Sequence, residues 1–308
     1  MKNLFRIATR SSPLALAQAN EVKNSLASVH SSLVGKKNIE IKTFKTSGDL
    51  IQSGSLADAG GKGLFTKEVE AALLEGKAEI AVHSMKDMPS YLPDGLVIGA
   101  FLQREDPRDA LISKGGENLS NLRVGSIVGT ASLRRKAILL RTRPDVRTVP
   151  LRGNVETRIK KVEEGVVDAT FLAISGLKRL GMVDHVSNIL EPEEMLPAVC
   201  QGVIGIECRK NDLKTLSLIR AIDDLNTRYQ TLAERAFLRE LDGSCHTPIA
   251  GLATVKNEKI FMRGMILKPD GSECHQSQSE GSVGEASDVG IVVAQEIRAR
   301  AGKDFWSL

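Results

Sequence analysis

Three kinds of side chain in this sequence are placed to do chemistry: a carboxylate closing a strand, a cysteine in a polar loop, and arginines at two strand-to-helix junctions. In Ala81-Val82-His83-Ser84-Met85-Lys86-Asp87-Met88-Pro89 an acid follows an apolar run and Pro89 ends the pairing. Asp87 should therefore project into a crevice at the strand's end. A carboxylate among cations stays ionised, and can stabilise a cation forming on a substrate or take and return its proton. A structural ion pair is the other reading. His83, inside the strand, reads as a hydrogen-bonded core histidine. In Leu241-Asp242-Gly243-Ser244-Cys245-His246-Thr247-Pro248 the cysteine lies in a loop bounded by Gly and Pro, whereas Cys200 and Cys208 sit in apolar stretches as small filler. Nearby cations would raise the thiolate fraction of Cys245 and favour attack on a carbon electrophile; the alternative is an ordinary loop residue. No other Cys or His stands at ligand spacing from Cys245 and His246, so no metal is expected.

The charge is uneven. Residues 130–180 hold eight arginines and four lysines against five acids, a local charge of +7. The whole chain carries only +4, which leaves −3 for the remainder. The partner of this stretch should be anionic, and arginine's planar fork suits carboxylates or phosphates. Arg134 and Arg135 follow Gly129-Thr130-Ala131-Ser132, and Arg152 and Arg158 flank Gly153-Asn154. Each is a strand-to-helix junction, where backbone N–H groups and the helix dipole also favour an anion. In an open α/β sheet both junctions lie at the carboxyl ends of strands, so these arginines should converge. Arg141, Arg143 and Arg147 read equally well as solvated helix faces.

The elements that must position these groups alternate. A strand over 4–8 precedes Ser12-Pro13, a cap with proline at the first helical position, and a helix with Ala15, Ala19, Val22 and Leu26 on one face. A strand over 39–43 follows, then a stretch over 48–63 with five glycines, expected to be a mobile lid. A helix over 66–75 and strands over 79–84 and 96–102 lead to the polar break Arg104-Glu105-Asp106-Pro107, a candidate hinge. Strands over 124–128, 146–151 and 169–174, with helices from Ser132 and after Asn154, build a second lobe. A run over 203–208 after Pro197–Gly202 returns the chain to the first. Thr227 and Gln230 read as a capping box opening a helix that ends near Leu241. Two strands, a Pro269-Asp270-Gly271 turn, a third strand and a terminal helix complete the chain.

The expected fold is therefore α/β: two periplasmic-binding-protein-like lobes joined by two hinge crossings, plus a small α+β C-terminal domain with a three-stranded antiparallel sheet. Its boundaries are 1–103 with 202–220 for domain 1, 104–201 for the arginine-rich domain 2, and 221–308 for domain 3. A length of 308 residues with 42% hydrophobic side chains allows each a core. No apolar run approaches a membrane span or signal-peptide core, so a cytoplasmic protein with reduced thiols and no membrane partner is expected. Aromatic residues are 4% and none is interleaved with the arginines, which argues against base stacking and a nucleic-acid partner. A two-lobed binding protein and a basic nucleic-acid module are the competing readings, and neither accounts for Cys245 and Asp87 together.

Six blocks in order, Ile7-Ala8-Thr9-Arg10-Ser11-Ser12-Pro13-Leu14-Ala15, Gly60-Gly61-Lys62-Gly63-Leu64-Phe65, Val82-His83-Ser84-Met85-Lys86-Asp87, Ser132-Leu133-Arg134-Arg135, Leu151-Arg152-Gly153-Asn154 and Gly243-Ser244-Cys245, resemble the porphobilinogen deaminase (hydroxymethylbilane synthase) family. The resemblance runs over essentially the whole chain. It implies a transferase that joins four porphobilinogen molecules head to tail with release of ammonia, then hydrolyses off the linear tetrapyrrole. It implies a dipyrromethane cofactor held by a thioether to Cys245. It makes Asp87 the catalytic residue, touching pyrrole N–H groups and stabilising the azafulvenium cation left by ammonia loss. Ser84, Lys86, Arg134, Arg135 and Arg158 would hold cofactor carboxylates. Arg10, Ser12, Lys62, Phe65, Arg152, Arg179 and Gln201 would hold substrate or the growing polypyrrole chain. The family also suggests a monomer. Asp58 stands where many relatives carry lysine, which puts the lid's contacts in doubt.

Overall fold

The computed structural model describes residues 4–33, 38–47, 63, 66–241, 247–302 and 304–306. The chain divides into two compact units, Met1–Glu105 with Gly202–Arg228 and Asp106–Gln201 with Tyr229–Leu308. No described helix is long and apolar enough to cross a membrane.

Unit 1 is built on a five-stranded sheet in the order β2-β1-β3-β10-β4. Its strands are β1 (Phe5–Arg10), β2 (Ile39–Phe44), β3 (Ile80–Ser84), β4 (Leu96–Phe101) and β10 (Ile204–Arg209). β1 runs parallel to β2 and β3, while β10 lies antiparallel between β3 and β4. Helices α1 (Pro13–Val29), α2 (Lys67–Leu74) and α6 (Leu213–Arg220) cover it. Ala19, Val22 and Leu26 of α1 pack with Ile7, Ile80, Val82, Ile206 and Ile219, while Val69 and Leu73 of α2 pack with Ala8 and Ala81. Apolar side chains on successive strand residues thus find cover on both faces, as a largely parallel sheet requires.

Unit 2 repeats that topology with different strands. Its order is β7-β6-β8-β5-β9, comprising β5 (Asp109–Ser113), β6 (Ile127–Gly129), β7 (Arg147–Val149), β8 (Ala169–Ala173) and β9 (Asn188–Leu190). β6 is parallel to β7 and β8, and β5 lies antiparallel to β8 and β9. In each sheet the antiparallel strand, β5 or β10, is the one that follows a passage of the chain between units. β5 and β9 were not among the expected strands. Helices α3 (Leu133–Thr142), α4 (Val155–Glu163) and α5 (Ile174–Leu180) follow β6, β7 and β8.

Helix α7 (Leu225–Glu240), the antiparallel sheet β11 (Ile249–Lys256), β12 (Lys259–Leu267) and β13 (Cys274–Ser282), and helix α8 (Ala286–Ala301) complete the chain. Asn257 and Glu258, with φ of 51° and 57°, make the tight turn between β11 and β12. The expected capping box at Thr227 is corrected. Asp224 caps α7, accepting from the Thr227 N–H at 2.7 Å, because a carboxylate three residues upstream was available to that N–H. The Thr227 hydroxyl instead accepts from the Arg104 N–H at 2.8 Å.

Candidate active site

In unit 1 the parallel strands β1 and β3 end side by side, at Arg10 and Ser84. Chain leaving neighbouring parallel strands at the same edge brings their loops together. Ser12 caps α1, its hydroxyl accepting from the Ala15 N–H at 3.3 Å, and β3 passes into a single 3₁₀ turn, Met85–Asp87. Arg10, Ser12, Ser84, Lys86 and Asp87 line one pocket of about 60 Å³, with Gln18 and His83 among its other walls. Asp87 keeps 37% of its side chain exposed, and the Arg10 guanidinium stands 3.9 Å from its carboxylate. The buried Gln18 amide donates to the Ser84 hydroxyl at 3.4 Å.

The turn carrying Asp87 is held from below. The Met85 N–H donates to the Val203 carbonyl at 3.0 Å, and the Met85 side chain is buried against β10. A Cβ on Gly205 would clash with the Met85 sulfur, so the Met85 side chain in its present rotamer packs directly over this glycine. His83 is buried, with Nε2 at 3.0 Å from Glu207 on β10, as a core histidine should be. Glu70 of α2, also buried, completes a cluster the sequence did not reveal. Burial, with the negative Glu207 adding to it, pushes the Glu70 carboxyl above its ordinary range.

In unit 2 the parallel strands β6 and β7 deliver two capped helix starts. The Ser132 hydroxyl accepts from the Arg135 N–H at 3.4 Å, and the Asn154 side chain accepts from the Thr157 N–H at 2.9 Å. Arg134 and Arg135 occupy the first turn of α3 and are buried to 5% and 6% exposure. Both reach Asp109, the first residue of β5: Arg134 Nη2 meets Oδ2 and Arg135 Nη2 meets Oδ1, each at 2.7 Å. Their Nη1 atoms donate to the carbonyls of Leu196 and Phe171, also at 2.7 Å. Gln201 is buried as well, its amide donating to the Pro107 carbonyl at 2.7 Å and to Asp109 Oδ1 at 2.9 Å. Burial alone would raise the Asp109 carboxyl, but Arg134 and Arg135 with the Gln201 hydrogen bond outweigh it and hold it far below the usual carboxylate range.

Arg152 and Arg158 are half-buried at the start of α4, where the Arg158 Nε donates to the Gly153 carbonyl at 2.7 Å. Arg179 lies half-buried in the last turn of α5. Arg143, read as solvated or anion-binding, serves instead to bind the carbonyls of Leu119, Ser120 and Leu122 and the carboxylate of Asp145. Cys200 and Cys208 are buried; burial pushes the Cys208 thiol up to about 11, a poor nucleophile at neutral pH. Cys200 adopts φ of 60°, and its N–H donates to the buried carboxylate of Glu234, which also accepts from the Ala253 N–H at 2.7 Å. Asp58, Lys62, Phe65 and Cys245 lie outside the described residues. Asp109 is the residue that sequence reading passed over. Locally, Arg108-Asp109-Ala110-Leu111-Ile112-Ser113 shows only a short apolar run opening on an acid; the partners of that acid are distant in the chain.

The cluster in unit 2 offers a fit test for an anionic group. Two buried guanidiniums share one carboxylate, and the Nε atoms of both Arg134 and Arg135 are buried without a hydrogen-bond partner among the described residues. It is short of one negative charge and of acceptors, which suits a ligand bearing carboxylates. Unit 1 thus presents an accessible carboxylate beside a guanidinium, and unit 2 presents capped helix starts that bear arginine.

Comparison with known proteins names the family. Residues 5–217 match the model described as porphobilinogen deaminase, dipyromethane cofactor binding domain, and residues 228–299 match that of the porphobilinogen deaminase C-terminal domain. The porphobilinogen deaminase of Nitrobacter hamburgensis is 52% identical over 305 residues, covering 99% of this chain and 96% of that one. That of Paracoccus denitrificans is 49% identical over 308 residues, covering 99% and 98%. The chain belongs to the porphobilinogen deaminase family. Among solved structures it is similar to a periplasmic sulfonate-binding protein from Methylobacillus flagellatus, at 15% identity and a TM-score of 0.39, covering 75% of this chain and 68% of that one. It is also similar to an arginine-specific periplasmic binding protein from Salmonella typhimurium, at 12% identity and a TM-score of 0.39, covering 72% and 92%. Likenesses this distant carry no argument about function.

Proposed function

We propose that this chain is a hydroxymethylbilane synthase: it condenses four porphobilinogen molecules head to tail on a covalently held dipyrromethane, releases one ammonia per addition, and frees the linear tetrapyrrole by hydrolysis. The observation that carries the reading is Asp87, a half-exposed carboxylate standing 3.9 Å from Arg10 in the pocket that Lys86 also lines. When bound, the dipyrromethane supplies a primer with a free pyrrole carbon for each new unit to join.

The chain's own residues do the rest. Loss of ammonia leaves a cation on porphobilinogen, and the Asp87 carboxylate stabilises it electrostatically at the moment it forms. The same carboxylate can then accept the proton displaced from the coupled carbon and, at the next addition, give it to the amino group that leaves as ammonia. Each porphobilinogen brings an acetate and a propionate, so a growing chain needs many cationic anchors. Ser84, Lys86, Arg134, Arg135 and Arg158 hold cofactor carboxylates, and Arg10, Ser12, Lys62, Phe65, Arg152, Arg179 and Gln201 hold substrate and growing chain. Cys245 carries the cofactor through its sulfur. The unpartnered Nε atoms of Arg134 and Arg135 support their share of this assignment. The reading extends to a monomer working in the cytoplasm without nucleic-acid or membrane partners, and to three domains, 1–103 with 202–220, 104–201 and 221–308. Three separate sheets support that division.

The test is intact-mass spectrometry with a porphobilinogen assay. Protein from cells that make porphobilinogen should exceed its sequence mass by a two-pyrrole adduct and consume porphobilinogen. Cys245→Ser should lose both. An active protein of unmodified mass would overturn the reading.

A further inference from the structure

Arg134 and Arg135 are consecutive residues of a helix, and neighbours i and i+1 diverge by about 100° around the axis. Left to themselves, their guanidinium groups would point to different surroundings. Here they meet, because one carboxylate takes both: Asp109 Oδ2 accepts from Arg134 and Oδ1 from Arg135, at 2.7 Å each. The acid itself is fixed, being fully buried at the start of β5 and receiving the Gln201 amide at 2.9 Å on Oδ1. The carbonyls of Leu196 and Phe171, each at 2.7 Å, lock the opposite side of the two guanidinium groups. The four Nη atoms are therefore engaged by the protein, while among the described residues both buried Nε–H groups have no acceptor and the two guanidinium groups have one carboxylate between them.

We propose that Asp109 is a positioning residue: by gathering Arg134 and Arg135 onto one side and cancelling one of their two charges, it leaves a preorganised pair with the charge and donors for a single further carboxylate of the bound pyrrole ligand. The inference rests on the proposed function and deepens it. Without Asp109 two adjacent buried cations would repel, turn apart and hold no common anion. With it, the cluster is selective for one carboxylate at that place, since a second would overturn the charge balance.

Two variants of the full chain, produced in cells that make porphobilinogen, test this. Asp109→Glu keeps the charge but pushes both guanidinium groups outward by a methylene, and Asp109→Asn keeps the shape but removes the charge. Each is melted by circular dichroism, weighed intact and assayed for kcat and KM. Asp109→Glu should melt cooperatively, carry the two-pyrrole adduct on a reduced fraction of molecules, and lose roughly 100-fold in kcat/KM, the size of effect that an ångström of misplacement produces. A folded Asp109→Glu with full adduct and unaltered kcat/KM overturns the proposal, because a purely structural acid would move only the melting temperature. Should Asp109→Glu fail to fold, Asp109→Asn decides by its adduct fraction; full loading, or failure of both variants to fold, counts against a positioning role. An unaltered chain without adduct or turnover would instead bring down the function reading itself, which separates the two failures.

Discussion

Two aspartates make the instructive comparison. Asp87 in unit 1 and Asp109 in unit 2 each stand beside arginine, yet one pair is a loose 3.9 Å approach with the carboxylate 37% exposed, and the other is a set of 2.7 Å contacts with nothing exposed. The difference separates a charge that is available from a charge already committed. A buried acid whose oxygens are each claimed by a guanidinium has no capacity left for a substrate proton, however close it lies to chemistry. An acid on a single 3₁₀ turn at a strand's end has that capacity. Its cost is small, because water still solvates it.

The first way to break this comparison is Asp87→Asn, with the largest expected effect. The variant should fold, melt as the unaltered chain does and retain the adduct mass, while kcat falls by about 10²- to 10⁴-fold, the span typical of general acid–base and electrostatic groups. Steady-state turnover near that of the unaltered chain would remove Asp87 from the reaction.

Asp109→Asn should do the reverse in stability. Taking one partner from a buried ion pair costs about 3–5 kcal/mol, because it strands the remaining charges. The pH dependence follows from the direction of the shift. The folded carboxyl titrates below its ordinary range. Protonation thus begins in the unfolded chain, at about pH 4, before it begins in the folded one. The stabilisation is complete at neutral pH and is lost as the pH falls through that window toward the folded value. Urea melts should show the full gap between unaltered chain and variant near pH 7 and a narrowing gap below about pH 4; a gap independent of pH would mean Asp109 acts by shape alone.

Legibility in the sequence followed the range of the interactions. Ser12 and Asn154 were readable as caps, and the stripe Ala15, Ala19, Val22 and Leu26 as a buried face, because each depends on neighbours within a few residues. β5 and β9 were not, since each is short and is defined by antiparallel pairing with distant chain. Asp109 was hidden for the same reason: nothing local tells that residues 134, 135 and 201 will meet it. Thr227 and Gln230 matched a local pattern, but Asp224 stood three residues earlier and took the cap. Arg10, Ser12, Ser84, Lys86 and Asp87 line one pocket in the structure; position at a strand's end pointed to Asp87, and the resemblance pointed to the other four. The resemblance brought Lys62 and Phe65 into the site, whereas Cys245 was marked by its loop between Gly and Pro; all three lie outside the described residues.

A smaller effect is expected from Gly205→Ala, which sharpens the comparison by moving Asp87 without touching it. The added methyl would meet the sulfur and Cγ of the buried Met85 side chain, which must then leave its seat under the turn. Overpacking of this kind costs about 1–3 kcal/mol. Thermal melts should register that loss and kcat should fall with KM little changed. Met85→Ala in the same chain, by clearing the space, should recover part of the stability. If Gly205→Ala leaves both stability and kcat unaltered, the turn is not seated on β10 as described.

The smallest effect concerns a buried acid that belongs to neither of these two pairs. Glu70 lies near Glu207 and His83, its Oε1 has no hydrogen-bond partner among the described residues, and burial raises its carboxyl above the ordinary range. For a group shifted in that direction the sign is opposite to Asp109: its contribution is complete below about pH 4 and is lost as the pH rises through the folded value, because ionisation then favours the unfolded chain. At neutral pH Glu70 is therefore a burden, and Glu70→Gln should stabilise the chain by about 1 kcal/mol, the scale of one unsatisfied buried group. The gain should vanish in acid. It should also leave kcat unchanged, since Glu70 is not among the residues that line the pocket. Melting curves at several pH values decide the matter: a variant that is less stable near pH 7 would show that the Glu70 charge is held by a partner and contributes to the fold as Asp109 does.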